Sequence, residues 1–78
     1  MTMRKDTYPT WRRINARLIV SAEERDGTPD FYIAREDRGP YWRVKWRTSA
    51  HWEGFYESPA EAKQAIAESL AYGAKFSH

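Results

Sequence analysis

The clearest pattern in the chain is an unbroken alternation over positions 41–47, in which apolar residues at 42, 44 and 46 are interleaved with Tyr41 and three cations. Because successive side chains of an extended strand point to opposite faces, Trp42, Val44 and Trp46 share one face. Aromatic and β-branched residues at these positions favour a strand that is buried on one side. The pattern therefore predicts a β-strand with a core face and a cationic face. The cations of the second face are Arg43, Lys45 and Arg47.

Three other segments show a strand pattern and are separated by turn residues. They are residues 17–23, 31–35 and 51–57. The first of them predicts Leu18, Val20 and Ala22 on its core face, although Ile19 interrupts the alternation. In the second, Phe31 and Ile33 are expected to face the core.

The segments between these strands predict tight reversals of the chain. Asp26-Gly27 supplies the positive φ angles that a two-residue hairpin turn requires. Residues 36–40 are rich in Asp, Gly and Pro, which favour turns, and residues 49–50 form a further short reversal.

The register of the last strand candidate, residues 51–57, depends on a glycine. If Phe55 faces the core, Trp52 and Tyr56 have the opposite parity and join the cationic face. Gly54 is a candidate for a β-bulge or a close approach, and a bulge there would reverse this assignment.

Residues 59–72 have the start, the apolar stripe and the stop of an amphipathic helix. Ser58 and Glu61 have the capping-box spacing, and Pro59 occupies the first helical position, where its missing N–H is not needed. Gly73 follows where a left-handed C-cap is expected. The inward stripe recurs at spacings of three and four residues. Its members are Ala62, Ala65, Ile66, Ser69 and Leu70.

Consecutive strands joined by short turns and followed by one helix predict an α+β fold. We expect an antiparallel three- to four-stranded meander with one C-terminal helix packed on one face. Residues 11–74 would form a single domain between a flexible N-terminal arm at 1–10 and a tail at 75–78. Within this domain, a short helical turn capped by Thr10 and an early strand fit residues 11–16 equally well.

Composition restricts the kinds of site that the chain can form. The chain has no cysteine, which excludes disulfides and sulfur-rich zinc sites and fits a reducing cytoplasm. It lacks the roughly 18 to 20 consecutive apolar residues that span a bilayer, so we expect a cytoplasmic protein. His51 and Glu53 supply only two metal ligands, and no phosphate loop or nucleophile motif is present. We therefore expect no cofactor, no metal and no enzymatic activity.

The cations are concentrated in the part of the chain that predicts the sheet. The net charge is +2, and residues 1–50 hold 11 of the 13 Lys and Arg but seven of the 11 acids. A surface of cations interleaved with aromatic residues is therefore the candidate binding site. Its members are Arg12, Arg13, Arg35, Arg38, Tyr41, Arg43, Lys45, Arg47, Trp52 and Tyr56.

Three interpretations of this surface differ in the partner of the cations. Cations about 7 Å apart along a strand can follow phosphates, and three to five contacts would give a log–log salt slope of roughly −3 to −4.5. The cations could instead form cross-strand ion pairs with Glu36, Glu53 or Glu57 on a solvated face. Arg, Tyr and Trp also dominate protein interfaces, and an uncovered sheet edge could pair two copies of the chain.

The strand Tyr-Trp-Arg-Val-Lys-Trp-Arg, the Gly-Phe pair before the helix cap and the alanine-rich helix that opens with Glu-Ala form one constellation. In these features, residues 41–68 resemble the arm-site DNA-binding domains of phage tyrosine integrases, which are three-stranded sheets packed on one helix. The resemblance implies contact with double-stranded DNA through the open sheet face. It carries over to Arg43, Lys45 and Arg47.

In size, aromatic content and lack of cysteine, the chain is also similar to accessory proteins of phages and mobile elements, including anti-CRISPR inhibitors. The leading hypothesis is a small non-enzymatic protein of this type that contacts double-stranded DNA. The alternative is an inhibitor that uses the same Arg, Tyr and Trp surface to bind a host protein complex that targets nucleic acid.

Overall fold

The described part of the chain begins at the first residues of the sheet and ends with the helix. The structure, a computed structural model, describes residues 9–72. The expected arm up to residue 8, the C-cap at Gly73 and the tail at 75–78 lie outside the described residues. Pro9 is buried, and the Thr10 carbonyl accepts a backbone hydrogen bond from Ala22 (2.8 Å). Within the described residues, hydrogen bonding to the neighbouring segment thus starts at residue 10, one residue before the first strand.

Seven strands precede one helix in the described chain. They are β1 (Trp11–Asn15), β2 (Leu18–Ser21), β3 (Glu24–Arg25), β4 (Thr28–Pro29), β5 (Phe31–Arg35), β6 (Trp42–Trp46) and β7 (Glu53–Tyr56), and the helix is α1 (Pro59–Tyr72). Five strands form one antiparallel sheet in the order β1-β2-β5-β6-β7, and β3 pairs with β4 in a second sheet. The α+β fold is thus confirmed, while the expected three to four strands were too few.

The extra edge strand is β1, where the sequence left strand and helical turn open. Its indole packs on the core, with the ring centroids of Trp11 and Phe31 6.3 Å apart, and the rest of the strand is exposed. Thr10 donates its hydroxyl to Glu23 (2.8 Å), which ties the start of β1 to the end of β2. Residues 11–15 therefore form a strand, and not a helical turn, because they pair with β2. Their own polar sequence shows little periodicity that could have indicated this.

The predicted Asp-Gly turn is confirmed in the small β3–β4 hairpin. Asp26 has φ 56° and Gly27 has φ 80°. Two successive positive φ angles are the signature of a type I′ turn, which matches the twist of the strands beside it. The hairpin forms an excursion between β2 and β5, which pair directly with each other.

The core lies between the sheet and α1, and one of its residues corrects the predicted face of β2. Ile19 is opposite Ile33, and Ile33 is opposite Val44, so these three side chains form one buried row across the sheet. The expected core face of Leu18, Val20 and Ala22 is wrong, because the ladder register puts Ile19 under the helix; Val20 is buried, but it has the opposite parity, being opposite Tyr32. The apolar residue that interrupted the alternation is the one that packs under the helix.

A buried serine connects β2 to β5 at the point where the chain leaves for the β3–β4 hairpin. Ser21 is fully buried, accepts a hydrogen bond from the Phe31 N–H (3.0 Å) and donates one to the Glu23 carbonyl (3.1 Å). A buried hydroxyl is stable only with such partners, because an unsatisfied polar group costs about 1–3 kcal/mol. Ser21 thus joins β2 to β5 where the chain leaves for the hairpin.

The helix begins and packs as predicted. Ser58 accepts a hydrogen bond from the Glu61 N–H (3.2 Å), and the Glu61 carboxylate accepts one from the N–H of Glu57 (3.1 Å), one residue before the cap. Ala62 and Ile66 are buried against the sheet. Small residues at this stripe let the helix axis approach β5, β6 and β7.

A bulge at Gly54 reverses the expected parity of β7. Trp42 is opposite Tyr56 and Val44 is opposite Glu53, so β7 has one residue more than β6 over this stretch. Tyr56 consequently packs against the core, and Phe55 points to the other side of the sheet, where it is 61% exposed. The assignment of Tyr56 to the cationic face is therefore wrong, and Phe55 takes its place.

Candidate functional site

The face of the five-stranded sheet opposite α1 is here called the open face. Ladder pairing fixes its central positions, because directly opposite residues share a face: Tyr32 is opposite Lys45 and Ala34 is opposite Arg43. Their parity is the reverse of the buried Ile33–Val44 pair. The cations and large side chains of the open face are Arg12 at the β1 edge, opposite Val20, and, on or beside β5, β6 and β7, Tyr32, Tyr41, Arg43, Lys45, Arg47, Trp52 and Phe55.

Arg43 is held at the centre of the open face by three neighbours. Its guanidinium carbon lies 4.1 Å from the centroid of the Phe55 ring, and its Nη2 donates to the carbonyl of Trp52 at 3.0 Å. Its Nη1 is 4.0 Å from a carboxylate oxygen of Glu36, and both side chains are about one quarter exposed. Stacking and hydrogen bonding therefore fix this cation in one orientation, with part of its surface still in solvent.

Lys45 occupies the next position along β6 and is associated with a ring. Its Nζ lies 5.0 Å from the centroid of the Tyr32 ring, which meets the Trp52 ring at 6.3 Å in an edge-to-face arrangement. No carboxylate lies within ion-pair distance of Lys45 in residues 9–72. Among the described residues, its charge thus faces a ring and not a carboxylate.

Arg47 ends the row and is paired with an acid. Its Nε is 3.5 Å from a carboxylate oxygen of Asp30, and its backbone N–H donates to the Asp30 carbonyl (2.9 Å). Of the interpretations drawn from the sequence, cross-strand ion pairing thus applies to Arg43 and Arg47, through Glu36 and Asp30. It does not apply to Lys45, and the three cations do not form one free stripe.

Exposed aromatic side chains gather beside these cations. The exposed large apolar residues of the described chain are Phe55 (61%), Ile14 (46%), Trp52 (39%) and Tyr41 (38%), and all but Ile14 lie on the open face. The Tyr41 and Phe55 rings meet edge to face at 5.8 Å. The sequence pointed to Tyr41 and Trp52. Phe55 was missed, and the signal that could have found it was the bulge proposed at Gly54.

The remaining predicted site residues lie away from this cluster. Arg12 is at the far edge of the sheet and pairs with Glu24 at 3.2 Å. Arg13 is opposite the core residue Ile19, which places it on the helix side of the sheet. Arg35, opposite Trp42, has the same parity, although it borders a groove beside Arg43 at the end of β5. Arg38 is exposed in the turn after β5.

Residues 9–72 contain neither a metal-binding cluster nor a helix that could span a membrane. No group of three or more His, Cys, Asp and Glu side chains is placed to hold a metal ion there, and His51 is a solvent-exposed side chain. No helix in the same part of the chain is long and apolar enough to cross a membrane.

Comparison with known proteins gives no relative of this chain. It matches no protein-family model, no curated protein and no solved structure. The resemblance to integrase arm-site domains, and the similarity in size to phage accessory proteins, therefore stay predictions from the sequence.

Proposed function

We propose that this protein binds nucleic acid through the open face and catalyses no reaction. As the sequence suggests, it would act in the cytoplasm, as phage accessory proteins do. Nucleic acids combine a phosphate backbone, which attracts cations, with bases, which contact aromatic rings. The open face offers both kinds of group on adjacent strands of a rigid sheet.

The observation that supports this proposal is the alternation of cations and rings at the centre of the open face. Arg43 lies over Phe55 and Lys45 over Tyr32. The acids next to β5 are Asp30, immediately before the strand, and Glu36, immediately after it. They lie four and two residues away from Ala34, which is at the centre of the open face. An anionic ligand at the centre, beside Lys45, would thus meet positive charge and rings, while the acids lie at the two ends of β5.

Contact with duplex DNA, the leading hypothesis from the sequence, would use the same strand. Each phosphate neutralised on duplex DNA contributes about −0.9 to the log–log salt slope. Because Arg43 and Arg47 already face carboxylates, Lys45 would contribute most, and the slope would be shallower than the sequence suggested.

Fluorescence anisotropy with labelled DNA at several salt concentrations tests the proposal. We expect Lys45→Ala to weaken binding at low salt and to make the slope shallower by roughly 1 unit. The matched control is Lys63→Ala, which removes the same charge from α1 on the other side of the sheet. Absence of binding at low salt, or equal losses in the two variants, would reject the open face as a nucleic-acid site.

A protein partner is the second candidate, and the exposed rings favour it. Trp, Tyr and Arg supply most of the energy in protein interfaces, and Tyr41, Trp52, Phe55 and Arg43 form one such cluster. In this case the protein would act as an inhibitor that docks on a complex handling nucleic acid. Co-elution with such a complex in size-exclusion chromatography, abolished by Trp52→Ala and retained in Lys63→Ala, would support it.

A further inference from the structure

We infer that the ligand of the open face is single-stranded nucleic acid, whose bases stack on Phe55 and Trp52 while a phosphate lies near Lys45. This inference rests on the proposed function and specifies the form of the nucleic acid. Three observations lead to it: the exposure of the two rings, their arrangement relative to their neighbours, and the pairing of the cations.

The Phe55 ring can stack on a base with one of its two faces. The Arg43 guanidinium covers one part of its ring at 4.1 Å, and the Tyr41 ring meets it nearly at a right angle (80°, centroids 5.8 Å), which does not cover it as a parallel stack would. With both neighbours in place, 61% of the residue stays exposed. A cation on one face of a ring leaves the opposite face for a second planar group. A base placed there would extend the stack that the guanidinium begins, which is the arrangement that single-strand-binding surfaces use.

Trp52 offers a second platform at a neighbouring position. The Tyr32 ring meets it edge to face, at an interplanar angle of 67°, so this contact does not cover the indole as a parallel stack would. The Arg43 Nη2 binds the Trp52 carbonyl and its guanidinium carbon lies over Phe55, so one side chain connects the two platforms. Two unstacked bases could therefore bind side by side with a cation between them.

Duplex DNA makes poorer use of this surface. In a duplex the base faces are stacked on each other, and a protein reaches only phosphates and base edges. A protein that binds the duplex through phosphates needs several free cations, yet Arg47 and Arg43 face Asp30 and Glu36. What the open face exposes most is ring surface, and of the two forms of nucleic acid the unstacked strand is the one whose bases can stack on it.

The test compares one labelled strand of about 12 nucleotides, within the roughly 4–16 nucleotides that single-strand-binding OB-fold domains cover, with its annealed duplex at equal salt. We expect tighter binding of the single strand. Phe55→Ala and Trp52→Ala should each weaken it by about 5- to 150-fold, the range of one stacked base. Phe55→Leu should lose nearly as much as Phe55→Ala, because it keeps apolar bulk but removes the ring.

Two controls separate stacking from other effects. Ile14→Ala removes another exposed apolar side chain, on the opposite edge strand β1, and should leave binding unchanged. A strand of the same length without bases loses both stacks and should bind the unmodified protein as weakly as the ordinary strand binds the Phe55→Ala/Trp52→Ala double variant. Equal or tighter binding of the duplex would overturn this inference and leave the proposed function standing. Absence of binding to either form would overturn both.

Discussion

At the residue scale, Gly54 determines which side chain of β7 reaches the open face. It has φ 76°, in the left-handed region that other residues avoid. A Cβ at this position would also collide with the Tyr56 ring, whose nearest atom is Cε2. The glycine thus allows the bulge that turns Tyr56 inward and Phe55 outward.

Replacing this glycine should cost more stability than replacing a glycine that has only the unusual φ. We expect Gly54→Ala to lower the free energy of unfolding by about 2–5 kcal/mol, because backbone strain and a steric clash add. Gly27→Ala, at φ 80° with no atom within 4 Å of the new Cβ, should lose only about 1–2 kcal/mol. Urea denaturation measures both. Equal losses would show that the Tyr56 ring moves aside at little cost.

The sequence located this residue without determining its effect. Gly54 inside this strand pattern indicated a bulge. The alternation of side chains between the two faces, taken without the bulge, placed Tyr56 with Trp52 on the cationic face. The register of β7 depends on whether the Tyr56 ring or the Phe55 ring packs under α1. That choice is a property of the packed core. In the same way, the acids that pair with Arg43 and Arg47 depend on the ladder register and not on spacing along the chain.

At the element scale, α1 is stabilised at its start by side-chain capping. Ser58 satisfies the Glu61 N–H, and the Glu61 carboxylate satisfies the N–H of Glu57. These bonds matter because the first N–H groups of a helix have no partner within it. The cap also fixes the angle at which the chain leaves β7, and hence the position of Ile66 over the core.

Removing the cap should destabilise the fold by a measurable amount. We expect Ser58→Ala to lower the free energy of unfolding by about 1 kcal/mol. Ser69→Ala makes the same chemical change inside α1, where alanine is the better helix former, and should be neutral or slightly stabilising. Thermal or urea unfolding followed by circular dichroism compares them. A loss in Ser69→Ala as large as in Ser58→Ala would contradict the capping role.

Elements with a strong local pattern were predictable, and those that depend on partners were not. The helix, β5 and β6 follow from periodicity and capping residues, and the Asp26-Gly27 turn follows from its chemistry. By contrast, β1 is a strand because β2 offers it an edge and because Trp11 finds Phe31. Such tertiary contacts leave little trace in a short polar segment.

At the scale of the whole molecule, the two edges of the sheet differ in charge. The edge strands are β1, with Arg12 and Arg13, and β7, which has Glu53 and is followed by Glu57. Antiparallel pairing of two β7 strands about Phe55 would place Glu53 of one copy opposite Glu57 of the other, and like charges opposite each other are destabilising. The register irregularities in both edge strands further oppose pairing.

We therefore expect that two β7 edges do not pair, and that this edge becomes able to pair when its charges are removed. Glu53→Gln combined with Glu57→Gln should raise the dimer fraction in sedimentation velocity over a range of protein concentrations. The control, Glu61→Gln with Glu68→Gln, makes the same change in net charge on α1. A wild-type dimer would show that the edge pairs in spite of its acids. Equal association of both double variants would point to net charge instead of the edge.

The distribution of the four tryptophans gives this molecule two separate optical reporters. Trp11, Trp42 and Trp46 pack on the core, whereas Trp52 is the tryptophan that the open face presents to solvent. Emission from the three packed indoles follows unfolding, while quenching of Trp52 follows a planar ligand that covers it. Intrinsic fluorescence can therefore distinguish occupation of the open face from loss of the fold in a single unlabelled sample, and Trp52→Phe identifies which signal is which.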